Sequence, residues 1–390
     1  MIYISAVGMI NALGNNLDEI AANLARGVAP GMRPRAGCCR GIAGGPGWRG
    51  WRGFRLSRKN SRCASLAQQS DPAGGAVAQL QPQVDDANRE TMAASASRLC
   101  LAPAPPACMK ATRTLTCTPT GIRAPRGTMH NKNSAIRRVV LSPGWRSTAR
   151  LIPFQPPSPP VQSNDQRAQL IEAGLVDAAI VGGADTLSRM RLTVFHSLEF
   201  AVANLMSAVS RDRAGITIGE GAGLMLLTRE PQPIALLGVG ESSDAYHISA
   251  PHPQGEGAIR AINQALTDAQ LTPDDVGYIN LHGTATQLND QIESMVVNAL
   301  FGERVPCSST KHLTGHTLGA AGITEAAISM LILQRDLPLP AQDFSLSPRD
   351  PTLPPCGIIE KPQPLARPVI LSNSFAFGGN NASILLGRVS

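Results

Sequence analysis

No apolar run in this 390-residue chain is long enough to cross a bilayer, which takes roughly 20 residues. Met1–Leu13 lacks the basic start and long apolar stretch of a secretory signal, so the cytoplasm is the expected location. His, Cys, Asp and Glu do not fall at metal-ligand spacings, and no metal is expected. Acidic residues are scarce in one block. Residues 31–165 hold 5 Asp and Glu against 20 Lys and Arg, a net of +15, while the remainder has a net of −8. The overall +7 thus belongs to one segment of the chain. Nucleic acid is not an expected partner, because a basic face rides on a folded scaffold or a Lys/Arg-rich tail. The block offers neither period nor motif.

That block is unusual in other ways. It contains all three Trp (Trp48, Trp51, Trp145) and six of the eight Cys (Cys38, Cys39, Cys63, Cys100, Cys108, Cys117). Ala102–Ala107 reads Ala-Pro-Ala-Pro-Pro-Ala, and Ile152–Pro160 is equally proline-rich. Neither can be helix interior or central strand. A structureless run of this length does not belong inside a compact domain. Disordered insertions bring Glu, Lys and Ser and avoid Trp and Cys; this one does the reverse.

Either side of the block the pattern is regular. Tyr3–Val7 is a short β-type run, and Asn16-Leu17-Asp18 opens a helix with Leu17, Ile20 and Leu24 at helical spacing. Order returns near Gln169. Strands are predicted at Asp177–Val181, twice within Gly215–Thr228, and at Ile234–Val239, Val276–Leu281 and Val305–Ser309. Two more flank a Gly-rich turn in Val369–Leu386. Helices are predicted at Glu256–Leu271, Asp290–Phe301 and Gly319–Gln334. Strands alternating with helices imply a layered α/β fold. With apolar content at 43% this is an ordinary globular composition, and the length suffices for two domain-sized units.

Three segments can carry chemistry. Asn280-Leu281-His282-Gly283-Thr284-Ala285-Thr286, followed by Asp290 and Glu293, puts a His at a strand's C-terminal end, where α/β sites lie. Lys311-His312-Leu313-Thr314-Gly315-His316 leads into the small residues Gly319–Gly322. Asn373–Ala382 contains Phe377-Gly378-Gly379-Asn380, a tight turn that lets backbone N–H groups face a reacting oxygen. Taken singly, each has a plainer reading: a packed His, a solvated Lys, a hairpin turn. Gly219-Glu220-Gly221-Ala222-Gly223 looks like a dinucleotide loop but sits between strands rather than opening a helix, so cofactor binding is rejected there.

Together, in this order, His-Gly-Thr-x-Thr, Lys-x-x-x-Gly-His and Phe-Gly-Gly-Asn resemble the C-terminal signature of the β-ketoacyl-acyl-carrier-protein synthase family. Asp244-Ala245-Tyr246-His247, Gly219–Gly223 and Asp177–Gly183 agree with it. The resemblance covers about residues 1–30 and 167–390. It implies a thiolase-like fold of two similar α/β halves, and a dimer, either with itself or with a ketosynthase-type partner. It implies a decarboxylating Claisen condensation in fatty-acid or polyketide-type synthesis. The substrates would ride on the phosphopantetheine of an acyl carrier protein, with no bound cofactor. By resemblance His282 and His316 assist decarboxylation and hold the enolate oxygen, while Lys311 sets the electrostatics. Glu293 and Asp290 are structural carboxylates. Phe377, with Gly378 and Gly379, forms the gating and oxyanion loop.

One part of the pattern is missing. The family's nucleophilic Cys would fall near Pro157, yet no Cys occurs between Cys117 and Cys307. Codons for a Thr-Ala-Cys-Ser-Ser turn, read one base out of phase, give proline-rich strings such as the one found there. The expected organisation is therefore a remnant of the first half at 1–30 and an out-of-frame, disordered segment at 31–165. The end of the first half would occupy 166–230, with a shorter scar near 200–210, and the second half 231–390. Such a chain would expose one face of its remaining sheet and would not condense. Two alternatives stand beside this. One is a non-catalytic partner subunit of chain-length-factor type, which would not need His282, Lys311 and His316. The other is a thiolase, which would need a Cys in the C-terminal Gly-rich loop. Cys307 and Cys356 read as ordinary buried thiols.

Overall fold

Two five-stranded patterns with the same internal order account for the architecture, and each can be traced to alternating or continuous apolar runs in the sequence. A computed structural model describes residues 1–32, 171–186, 205–247 and 249–389, together with Phe195 and the backbone of short strands at 99–101, 116–118, 121–123 and 150–151. The expected out-of-frame block at 31–165 lies almost wholly outside the described residues, as does most of 187–204.

The first strand, β1 (Ile2–Ile10), buries Ile2, Ile4, Val7 and Met9. Helix α1 (Leu17–Ala25) begins as the sequence predicts. Asn16 caps it by accepting the Glu19 N–H at 2.8 Å, and Glu19 reaches back to the Asn15 N–H at 2.9 Å. This exchange satisfies donors that the helix leaves open. The strands β2 (Leu99–Leu101), β3 (Thr116–Thr118), β4 (Gly121–Arg123) and β5 (Arg150–Leu151) follow, β3 and β4 pairing only with each other. Then come β6 (Ala178–Asp185), β7 (Gly221–Thr228) and β8 (Ile234–Ser243). Helix α2 (Glu256–Asp268), β9 (Tyr278–Asn280), α3 (Gln287–Phe301), β10 (Cys307–Ser308) and α4 (Lys311–Thr314) continue the second half. It closes with α5 (Ala321–Arg335), β11 (Val369–Ala376) and β12 (Asn380–Arg388).

Ten strands hydrogen-bond in the order β10-β9-β11-β12-β8-β1-β7-β6-β2-β5. Read outward from the middle, the two halves are the same. β8 pairs antiparallel with β12, β12 antiparallel with β11, and β11, β9 and β10 run parallel. Likewise β1 pairs antiparallel with β7, β7 antiparallel with β6, and β6, β2 and β5 run parallel. The halves meet where Ile2 and Tyr3 pair with Leu236 and Ala235. This is the duplicated, layered α/β arrangement expected of a thiolase-like fold.

Helix α5 forms the inner layer. Every residue from Ala321 to Leu333 is buried, as an all-round apolar helix must be. It touches β7 and β1 of the first half as well as β8, β11 and β12 of the second. The face of the second half expected to be exposed is thus covered on this side by α5, on which β1, β6 and β7 also pack. Helices α2 and α3 close the opposite face through Ile262, Leu266, Val297 and Phe301 against Leu371 and Leu385.

Two further expectations change. Gly215–Thr228 holds one strand rather than two; its first part instead forms an isolated bridge, Ile218 to His316. The scar expected near 200–210 lies partly outside the described residues; its last part, Met206–Ser210, is buried and bonded into the core rather than loose. There the Met206 N–H donates to Thr217, the Val209 N–H to Asp290, and the Ser207 hydroxyl to the Asp343 carbonyl.

The next residues clamp the halves. Arg213, 6% exposed, donates to Asp350 and to the Ser210 carbonyl, and its Nε lies 3.8 Å from Asp290. Removing one partner of a buried ion pair strands the other charge. Arg213→Ala is therefore expected to lower unfolding free energy by about 3–5 kcal/mol, read from urea denaturation. A loss under about 1 kcal/mol, typical of a surface pair, would show that the clamp is not needed.

Candidate active site

Strand β9 ends at Asn280, and the chain turns sharply through His282–Thr286 before α3. The turn contains Gly283 at φ +42° and Ala285 at φ +59°, the second a strained setting for a side chain. Two carboxylates from α3 hold it. Glu293 accepts the His282 and Gly283 N–H groups, each at 2.8 Å. Asp290 accepts the Ala285 N–H at 3.1 Å and the Val209 N–H at 2.8 Å. Burial raises both carboxyl groups, Asp290 to about 7, against the opposing pull of these N–H bonds and of Arg213 or Lys311. Asn373 on β11 donates to Glu293 at 3.3 Å and accepts from Ser383 at 2.9 Å, which fixes the carboxylate in turn.

Lys311 opens α4 just beyond β10. It is 1% exposed. Its Nζ donates to the His282 carbonyl oxygen and to Glu325 of α5. Glu325 was missed in the sequence. The signal was there: a lone acid inside the apolar run Ala321–Leu333 requires a buried cation. Burial pushes the Glu325 carboxyl up to about 7, opposed by Lys311.

His316 follows Gly315. Its N–H donates to the Thr217 carbonyl at 2.8 Å, and its own carbonyl accepts the Gly219 N–H at 3.0 Å. This contact explains the glycine-rich segment that resembles a dinucleotide loop. A Cβ on Gly219 would stand 2.3 Å from the Thr314 carbonyl oxygen, so only glycine lets the segment dock against the His-bearing loop.

The two imidazoles meet edge to face, ring centroids 5.5 Å apart at 85°. Burial first, then the Lys311 charge, hold both well below the ordinary histidine value; for His282 the neighbouring His316 adds to this. Both rings are therefore neutral near pH 7. The Nδ1 of each is buried with no partner among the described residues. An orphaned acceptor costs less than an orphaned donor, which favours the proton on Nε2. Two neutral N–H donors beside a buried ammonium can bind an oxygen on which negative charge develops.

Of the predicted residues, His282, His316, Lys311, Glu293 and Asp290 come together. Phe377 stands in the turn after β11, 41% exposed, its ring 5.9 Å from that of Phe195. The ring facing His282 is that of Phe375, at 6.2 Å. Gly378 and Gly379 adopt φ of +84° and +73°, and the Gly379 carbonyl accepts the Asp244 N–H at 2.7 Å, tying this turn to the 244–252 loop. The expected nucleophile position near Pro157 lies outside the described residues. Cys307 and Cys356 are free thiols buried in the outer apolar cluster. Among the described residues no group of His, Cys, Asp and Glu could hold a metal ion, and no helix is long and apolar enough to cross a membrane.

Known proteins similar to this chain fall in one family. Residues 165–232 match the family described as β-ketoacyl synthase, N-terminal domain, and residues 235–344 match β-ketoacyl synthase, C-terminal domain. A 3-oxoacyl-[acyl-carrier-protein] synthase 2 from Synechocystis sp. is 34% identical over 234 residues, 55% of this chain and 56% of that protein. One from Staphylococcus aureus is 33% identical over 234 residues, 56% of this chain and 58% of its own length. The chain thus spans little more than half the length of the curated relatives it matches. A solved ketosynthase in complex with its chain length factor, from Xenorhabdus doucetiae, is 42% identical with a TM-score of 0.77, covering 100% of this chain and 98% of that one. A β-ketoacyl synthase from Burkholderia phymatum, 24% identical at a TM-score of 0.77, shares the fold over 100% of this chain and 99% of its own.

Titration of the imidazole C2–H resonances should show neither His282 nor His316 taking up a proton at or above pH 6.5, the ordinary histidine value. Because the unfolded chain protonates first, the linked stability is fully present above 6.5 and is lost as the pH falls below it. His316→Asn should flatten that loss relative to the parent chain. A midpoint at or above 6.5 for either ring would mean that the pair is hydrated or charged.

Proposed function

The chain belongs to the β-ketoacyl synthase family, and from that premise we propose that its site is the decarboxylating half of a Claisen condensation centre whose thiol half is absent. The observation carrying this reading is the pair of neutral imidazoles 5.5 Å apart, steadied by the buried Lys311–Glu325 pair. A malonyl thioester carried by an acyl carrier protein would lose carbon dioxide here. The bond to the carboxylate breaks, its electron pair moves onto the adjacent carbon, and the thioester oxygen becomes an enolate. His282 and His316 donate their Nε2–H groups to that oxygen. Lys311 acts through the backbone of His282 and through its charge. The turn at Phe377, Gly378 and Gly379 would gate entry and offer backbone N–H groups to the second oxyanion. No cofactor is required beyond the phosphopantetheine arm of the carrier protein.

Condensation also needs a thiolate to hold the acyl group that the carbanion attacks. The internal duplication supports its absence. Strand β5 occupies the position in the first half that β10 holds in the second, and Lys311 follows directly on β10. The corresponding turn would follow Leu151, where the sequence reads Ile-Pro-Phe-Gln-Pro-Pro-Ser-Pro-Pro. No Cys occurs from residue 118 to 306. We attribute this to out-of-frame reading of roughly residues 31–165. A partner subunit of chain-length-factor type would have no need of His282, Lys311 and His316, and their joint presence favours descent from a catalyst. A dimer with itself or with such a partner, working with an acyl carrier protein in the cytoplasm, is the assembly this reading implies.

Incubated with an acyl-loaded carrier protein, the chain should gain no acyl mass, and adding malonyl-loaded carrier should yield no β-ketoacyl product. The coding DNA read in a neighbouring frame should contain a Cys codon near position 157. An acyl adduct on a thiol of this chain, or the lack of any such alternative frame, would defeat the proposal.

A further inference from the structure

His316 belongs to the second half of the chain, yet the backbone around it is held by the first. Its N–H donates to the Thr217 carbonyl at 2.8 Å, and its carbonyl accepts the Gly219 N–H at 3.0 Å. Just beyond it the chain makes a single 3₁₀ turn at Leu318–Ala320 and enters α5. That stretch has little to steady it from its own sequence. Leu318 stands at φ +49°, an uncommon and strained setting for a residue with a side chain. Helix α5 has Ala320 at its N-cap, no capping side chain and no acid in its first turn. The open N–H groups there form the positive end of the helix.

An acceptor for this stretch comes from β6. The strand ends at Asp185, opposite Gly221 of β7, and packs directly on the 3₁₀ turn. Asp185 is 3% exposed, and its Oδ2 accepts the Gly319 N–H at 2.8 Å. A Cβ on Gly183, earlier in the same strand, would stand 2.6 Å from the Gly319 carbonyl oxygen. The lack of a side chain there lets the strand end reach the turn. A carboxylate so placed satisfies a donor ahead of α5 and sets negative charge at that helix's positive end. It also braces the peptide that follows the strained Leu318.

We infer that Asp185 is a positioning residue for His316. Thr217 and Gly219 fix the near end of the segment that carries the imidazole, and Asp185 fixes the far end. The consequence for catalysis rests on the reading of His316 as a donor to the enolate oxygen. A donor aimed at developing charge has to be held within about 0.5 Å of its place. A segment with a residue at positive φ, anchored at one end alone, would not hold it so. Asp185 acts through the backbone of the turn, and the first half thereby supplies a part of the second half's site.

Amide hydrogen exchange in the full chain is the test. In the unaltered protein the Gly319 amide should exchange at least about a hundredfold more slowly than in an unstructured peptide. Asp185→Ala should speed exchange at Gly319 and His316 by at least about tenfold relative to Ile384 of β12, and should shift the His316 C2–H resonance. Asp185→Asn, which keeps an acceptor oxygen, should restore most of the protection at Gly319. A residue serving general stability alone would raise exchange at all three amides alike, and that result overturns the proposal. Fast exchange at Gly319 in the unaltered chain overturns it too, whether or not the variants fold. In the reaction, kcat for carbon dioxide release from a malonyl-loaded carrier protein should fall about tenfold in Asp185→Ala while KM stays within about twofold; an unchanged kcat counts against the positioning role. No release from the unaltered chain, with the exchange pattern as expected, defeats the decarboxylation reading and leaves the role of Asp185 supported.

Discussion

A charged amine with 1% of its surface exposed is the constraint around which the second half of this protein is built. Burying an ammonium is costly unless it is paired and its donors are met. Lys311 meets the requirement with a carboxylate from the inner helix and the backbone carbonyl of His282. The pairing dictates geometry well beyond itself. It draws α4 against α5, it fixes the strand-end turn from which His282 projects, and its charge helps keep both imidazoles neutral. Glu293 and Asp290 then hold the same turn from the opposite side through N–H groups.

The duplicated sheet explains why these parts meet at all. Each half runs its strands in the same order and sense, and the two join edge to edge at β1 and β8. The first half meets the second around α5, which touches β1, β6 and β7 as well as β8, β11 and β12. The GEGAG segment of the first half docks on the His316 loop of the second through backbone contacts that tolerate no side chain at Gly219. The Arg213 clamp does the same work with charge.

The fold class was legible in the sequence because strands and helices alternate with clear periods, and α1 was legible down to its cap at Asn16. The strand ending at His282 could be read because a short apolar run stops at a small-residue turn. What could not be read depends on long-range contact. Glu325 sits in an apolar helix and reads as an oddity until Lys311 is brought to it. Gly215–Ile218 looks like a strand, but its partner is a loop more than ninety residues on, so it forms only an isolated bridge. That the ring of Phe375 lies beside His282 could not be read either, since the direction of a strand residue depends on what packs against it. The covering of α5 by β1, β6 and β7 was also hidden, because those strands lie far apart in the chain and the intervening block carries no period.

The energetic character of the site bears on its history. A buried Lys–Glu pair, raised carboxyls on α3, neutral imidazoles whose Nδ1 atoms have no partner among the described residues, and Ala285 at positive φ are each unfavourable for folding alone. Well-packed apolar residues of similar volume commonly replace a buried ion pair without loss of stability. Mutation without selection for function erodes such devices, because function is what retains costly arrangements. Their joint survival fits the proposed recent loss of the thiol half better than a long-settled non-catalytic role. It also accounts for the abrupt change of composition at either end of the basic block. A gradual loss of function would leave the first half's periodic pattern readable while replacing single residues; the proposed shift of reading frame near residue 31, reversed by a compensating shift near residue 165, would remove the pattern at once and leave the second half in frame.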